Sequence, residues 1–168
     1  MRHFVIALCC TLTLALSGCA DKFRTYDGPE VTRISVHKSS RRMYLWHEDQ
    51  VIRHFEFDLG FAPEGHKEFE GDGKTPEGRY FIDRRNPNSS FHLSLGISYP
   101  NVQDVVYARK SGKSPGGDIF IHGRPNAEAL LGPRTGPDWT AGCISVTNDE
   151  MEDIYAMVRL GTVIDIYP

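Results

Sequence analysis

The residues able to do covalent chemistry lie late in this 168-residue chain. Cys143 stands in DWTAGCIS, Asp138 to Ser145, directly after Gly142, and no other cysteine follows residue 19. A thiol attacks a carbonyl only with a lowered pKa or a base at hand, and only where substrate reaches it. Gly142 favours access, since a residue without a side chain lets a carbonyl approach the sulfur. It also lets successive backbone N–H groups aim at one point, the requirement for an oxyanion hole. The base needed is a histidine, and of the six beyond the N-terminal segment only His122 ends a buried apolar run and precedes a glycine. His37, His47 and His54 fall in alternating sequence, where solvent-facing strand positions explain them, and His66 lies in a polar loop. His92 shares a face with Ser94 and is expected to line a pocket behind the main pair. No C-x-x-C, H-E-x-x-H or similar cluster is present, so no metal site is expected. On residues alone, Cys143 and His122 are either nucleophile and base or an inert core cysteine beside an ordinary histidine.

The elements that must position them read as follows. Val31 to Gly60 alternates apolar and polar residues (Val31, Ile34, Val36; Met43, Leu45; Val51, Phe55, Phe57, Leu59), with turn-formers at 38–41 and 48–50, which predicts a strand meander. Gly71, Gly73, Pro76 and Gly78 forbid regular structure until a strand resumes at Arg79–Ile82. FHLSLGISYP, residues 91–100, alternates again, with Phe91, Leu93 and Leu95 on one face. Asp118–Ile121 reads as a short buried strand running into His122. Residues 124–137 form a long Pro- and Gly-rich loop with one helical turn at 127–131. Thr147 and Glu150 make a capping box for a helix that presents Met151, Ile154, Tyr155 and Val158 on one face and stops at Gly161. TVIDI closes as a strand. The sum is a β-rich α+β domain with few helices and a mostly antiparallel sheet.

At the other end, Arg2 and His3 precede an apolar run from Phe4 to Leu16, too short to span a bilayer but suited to a signal-peptide core. It ends in LSGC, which resembles a bacterial lipobox in which Cys19 is lipidated; an ordinary secretory signal is the alternative, and both export the protein. Residues 1–18 are thus expected as signal, 19–30 as a lipidated polar tether, and 31–168 as one domain, which roughly 150 residues suffice to fold without disulfides. Ala20, rather than aspartate, after Cys19 places the anchor in the outer membrane facing the periplasm. A formal net charge of −3 with no long run of either sign speaks against a nucleic-acid partner.

IHGRP at Ile121–Pro125, followed by WTAGCISVTNDEM at Trp139–Met151, resembles the L,D-transpeptidase catalytic domain, the YkuD-type fold, whose signature is His-Gly, a loop, then Ser/Thr-x-Gly-Cys. GDGKTPEGRY is similar to the TPxGxF segment of that family, GISYPN to a strand and turn of one branch, and GTVIDIYP to its last strand. The resemblance runs from about Val31 to Pro168. It implies a cofactor-free cysteine enzyme of cell-wall biogenesis that attacks peptidoglycan stem peptides at the L-centre of the diamino acid and passes through a thioester. Cys143 would be the nucleophile and His122 the base, its other ring nitrogen held by the Gly123 carbonyl, with the Gly142 and Cys143 N–H groups on the oxyanion. His92, Tyr99, Arg124 and Thr140 would meet substrate. Arg109, Lys110, Lys113, Arg124 and Arg134 would receive stem carboxylates or else form a solvated surface. An amine acceptor gives transpeptidation. Water gives an L,D-carboxypeptidase, or an endopeptidase or amidase releasing a peptidoglycan-linked protein. A non-catalytic wall-binding lipoprotein is the remaining alternative. Two positions depart from the family pattern: Ala141, where histidine is frequent, and Ser145, where arginine is.

Overall fold

The computed structural model describes residues 21–127 and 137–168. The alternating first third folds as its pattern dictates, into an antiparallel meander of β1 (Arg33–His37), β2 (Arg42–His47) and β3 (Gln50–Glu56). Period-two alternation sends Ile34, Val36, Met43, Leu45 and Phe55 into the core. Val51, expected inside, is instead exposed. The register shifts between Leu45 and Trp46, and the extra residue this leaves on β3, Ile52, packs against the core in its place.

Five further strands complete the sheet: β4 (Gly78–Asn86), β5 (Ser94–Ile97), β6 (Phe120–His122), β7 (Ile144–Ser145) and β8 (Val163–Tyr167). Their order is β3-β2-β1-β8-β4-β5-β6-β7. The β1–β8 and β6–β7 pairs are parallel and the others antiparallel. The chain leaving β3 then curls across to β7. Asp58 and Ser145 exchange backbone bonds of 2.8 and 2.9 Å, and Thr140 N–H donates to Leu59 O at 3.0 Å. The two ends of the strand order are thus joined beside Cys143. The segment 91–100, expected as one strand, pairs only over Ser94–Ile97, because His92 sits at φ 68° and breaks the alternation.

Two helices lie among the described residues, α1 (Val102–Lys110) and α2 (Asn148–Met157). The capping box of Thr147 and Glu150 starts α2 as expected, and Met151, Ile154 and Tyr155 are buried where it packs on β5 and β6. The helix ends before Gly161, at Met157. The Arg85 guanidinium donates to the carbonyls of Tyr155 and Val158 there, satisfying groups that a helix end leaves open. No helix was read for α1: it buries only Asp104 and Ala108, so it lacks an apolar stripe. Its signal is instead the Asn101–Asp104 capping box, with reciprocal bonds of 2.8 and 3.1 Å.

Residues 21–30, expected as a tether, lie against the domain. Arg24 pairs with Asp149, Glu152 and Asp153 of α2 at 2.9, 2.9 and 2.6 Å. Lys22 Nζ donates to the carbonyls of Pro87 and His92 at 2.6 and 3.2 Å. The signal residues, Cys19, Arg134 and most of the helical turn expected at 127–131 fall outside the described residues. Among the described residues no helix is long and apolar enough to cross a membrane.

Candidate active site

Alternation along β6 buries Ile121 on one side and turns Phe120 and His122 toward a cavity of about 480 Å³ on the other. The antiparallel partner β5 adds Ser94, opposite His122. The parallel partner β7 pairs Ile144 with Ile121. That register leaves the preceding residue, Cys143, at the mouth of the strand and on the same cavity wall. Thus two short strands bring His122 and Cys143, twenty-one residues apart in sequence, to one space.

The His122 ring is buried between Phe91, with centroids 4.5 Å apart, and Trp139, at 5.7 Å. Its Nδ1 lies 2.7 Å from the Gly123 carbonyl oxygen. A carbonyl only accepts, so Nδ1 carries the proton and Nε2 is the acceptor in the neutral ring. Burial holds the imidazole below its ordinary value, with nearby Arg124 acting the same way, while the Gly123 bond opposes them. A Cβ at Gly123 would stand 2.6 Å from Asn148 Oδ1 and 3.1 Å from Phe91 O, so a side chain here would displace the Asn148 amide that accepts from Arg124 N–H.

Cys143 is partly buried, and its thiol donates to the Asp118 carbonyl at 3.5 Å. Burial pushes the thiol up, as does the Asp118 carboxylate; the Phe120 backbone and the charge of Lys67 pull it back only in part. Thiol and imidazole are therefore held as a neutral pair at neutral pH, an arrangement in which the base takes the proton during attack. The loop before the sulfur is fixed by side chains. Thr140 Oγ1 donates to Cys143 O at 2.7 Å, and Thr75 Oγ1 donates to Gly142 O at 2.8 Å. Gly142 holds φ 130°, and a Cβ there would meet Lys74 O at 2.6 Å, so this position admits only glycine. Its N–H, expected to face an oxyanion, donates to Thr140 Oγ1 at 3.2 Å.

A second cavity of about 260 Å³ opens on the other side of Cys143, sharing Asp118 and Ala141 with the first. Lys67 lines it, its ammonium held by Asp72 at 2.8 Å and by Phe69 O at 2.9 Å. Sequence reasoning assigned Lys67 no role; a lysine in a polar loop gives no sign that its side chain is buried.

Other residues expected at the site go elsewhere. His92, with its positive φ, turns from the cavity and meets Glu152 at 2.8 Å, so Ser94 lines the wall without it. Tyr99 is buried off both cavities, its hydroxyl donating to Pro115 O at 3.0 Å, and burial, with Asp104 adding to it, pushes the phenol above its ordinary value. Arg124 pairs with Asp58 at 3.2 Å. Thr140 lines the larger cavity. Arg109, Lys110 and Lys113 are exposed and line neither cavity. Of the two departures from the family pattern, Ala141 stands at the site, whereas Ser145 is buried outside both cavities, its Oγ without a partner among the described residues. No group of three or more His, Cys, Asp or Glu able to hold a metal occurs among them either.

Comparison with known proteins agrees with this architecture. Pgp2 of Campylobacter jejuni, solved as a helical cell shape determining protein, is 27% identical and superposes with a TM-score of 0.61 over 84% of this chain and 49% of its own. Bd1075 of Bdellovibrio bacteriovorus is 26% identical, with a TM-score of 0.58 over 82% of this chain and 48% of its own. YafK of Escherichia coli K12, provisionally named an L,D-transpeptidase, is 27% identical over 96 residues, 56% of this chain and 32% of YafK. The chain thus spans about half the length of the solved relatives and a third of YafK. The family model of the L,D-transpeptidase catalytic domain, YkuD, matches residues 31–166, and the chain belongs to that family.

Proposed function

We propose that the protein is a cysteine acyl-enzyme acting on peptidoglycan stem peptides at the L-centre of the diamino acid. The observation that carries this is the shared cavity of His122 and Cys143, with the His122 tautomer set by Gly123. Nε2 takes the thiol proton as sulfur bonds to the substrate carbonyl carbon. The Cys143 N–H, joined by the Gly142 N–H when it exchanges Thr140 Oγ1 for the oxyanion, carries the developing charge. The C–N bond then breaks, the proton passes from Nε2 to the leaving amine, a D-amino acid departs, and a thioester remains on Cys143.

The larger cavity lies within the range of about 300–1,000 Å³ that holds drug-sized ligands, and it suits the stem peptide; the smaller falls below that range. Its size favours a small acceptor, water or a single amino acid, over a second stem peptide, and so supports hydrolysis or exchange over cross-linking. Protein lacking residues 1–19 should shorten disaccharide tetrapeptides or exchange their terminal residue. Dimers as the main product would favour cross-linking, and equal turnover by the Cys143→Ala protein would sink the proposal. An outer-membrane lipid at Cys19, facing the periplasm, completes it; Cys19→Ser should release the protein from membranes or block its processing.

A further inference from the structure

The family match begins at Val31, yet the ten residues before it reach the rim of the larger cavity. That rim is the loop between β4 and β5, which supplies Ser89, Ser90 and Phe91 to the wall. One side of the loop is held from within the domain. Asn126 accepts from His92 N–H at 2.8 Å and donates to Ser89 O at 3.0 Å, and its own N–H donates to Ser90 O at 2.9 Å. The other side is held by the N-terminal segment, through Lys22 on Pro87 O and His92 O. Arg24 fixes that segment to α2, where the Glu152 carboxylate it engages also binds the His92 ring.

We propose that residues 21–24 form a strap that positions the rim, with Lys22 and Arg24 as positioning residues for substrate. Resting on the reading of His122 and Cys143 as the reacting pair, the route runs from Lys22 and the Arg24–Glu152–His92 chain to the loop, and through Phe91 to the face of His122. Phe91 lines the cavity wall as well as packing on His122, so the strap governs how the peptide is held more than the chemical step. The Arg24 contacts are ionic and partly exposed, so salt weakens them: the screening length falls from about 8 Å at physiological ionic strength to about 3 Å at 1 M.

The test compares wild type with Arg24→Ala, Arg24→Lys and Lys22→Gln in the chain that retains residue 20 onward. It reads hydrogen exchange of the amides at 87–93, and kcat and KM on a disaccharide tetrapeptide at low and high salt. In Arg24→Ala and Lys22→Gln the loop amides should exchange faster, and KM should rise about three- to tenfold with kcat within about twofold, as befits the loss of surface ion pairs in the first and of hydrogen bonds from a charged donor in the second. Arg24→Lys should recover part of the loss. High salt should raise KM in wild type but not further in Arg24→Ala. Unchanged loop exchange overturns the strap, as does faster exchange with unaltered KM or a fall confined to kcat. The exchange measurement needs no turnover, so failure of the strap is distinguishable from failure of the catalytic proposal, which Cys143→Ala tests separately.

Discussion

At one end of the sheet β1, β2 and β3 run five, six and seven residues in near-continuous ladders, with positive φ among non-glycines confined to the turn residues Arg41 and Glu48. At the other end β5, β6 and β7 run four, three and two residues, and His92, Asp118, Asp138 and Gly142 all hold positive φ within reach of the cavity. Strands this short fix little by backbone pairing. The work passes to side chains bonding backbone, as Thr75 does to Gly142, Thr140 to Cys143, and Asn148 to Arg124 N–H at 2.7 Å. Both ends bury apolar side chains, Ile34 and Leu45 at the regular end and Leu95, Ile121 and Ile144 at the reacting end; the reacting end adds specific hydrogen bonds to backbone, with strained backbone gathered where chemistry is proposed. Besides the backbone bonds of Asp58 with Ser145 and of Thr140 with Leu59, a side-chain link couples them: Arg41, in the β1–β2 turn, grips Asp138 bidentately at 3.0 and 2.6 Å, just before the loop to Cys143.

If the two ends divide labour this way, substitutions should separate by readout. His122→Ala should lower kcat/KM by about 10²- to 10⁴-fold while the circular-dichroism melt stays near wild type. The pH profile sharpens the point. With the imidazole held below its ordinary 6.5, the acid limb of kcat/KM should lie below that value, and an acid limb above it would mean His122 is not the base. At the regular end Ile34→Ala, at a fully buried site, should cost about 2–5 kcal/mol in urea unfolding with kcat/KM unchanged for the folded fraction.

These contrasts follow what the sequence made visible. Apart from Val51, displaced by the bulge in β3, the alternation between Val31 and Leu59 was legible because β1, β2 and β3 follow one another as a meander with a common face on the core. His122 and Cys143 were legible because a histidine before glycine and a cysteine after glycine mark backbone that must approach closely or turn sharply. His92 was misplaced because a single left-handed residue reverses alternation without altering composition. Tyr99 and Arg124 were expected to meet substrate from the resemblance, and the partners they take instead, Pro115 O and Asp58, lie outside the motifs that carried it. The docking of Lys22 and Arg24 was hidden for the same reason, since a polar segment gives no sign that three acids await it on α2.

Smaller effects probe the bonds at the reacting end. Thr140→Val keeps the shape and removes the hydroxyl that serves both Cys143 O and Gly142 N–H. It should cost about 1–3 kcal/mol and lower kcat/KM more than any isosteric change in β1 or β2. The Arg41–Asp138 link should contribute least, about 1 kcal/mol for a partly exposed pair. Although burial works to raise it, Arg41 and the Leu59 N–H hold the Asp138 carboxyl below its ordinary 3.8. A depressed carboxylate stabilises the fold above that value and loses its contribution as pH falls through the lower folded one. The difference in urea midpoint between wild type and Asp138→Asn should therefore be present at pH 6 and shrink in strong acid; a difference that grows on acidification would reverse the assignment.

The most direct measurement is the intact mass of the protein, acid-quenched during turnover of a disaccharide tetrapeptide. A mass gain equal to the donor less the free D-amino acid it releases is predicted, mapped to Cys143 by peptide digestion. It should be absent in Cys143→Ala and strongly reduced in His122→Ala. Turnover by Cys143→Ala at the wild-type rate, or an acyl group on any other residue, would contradict the account.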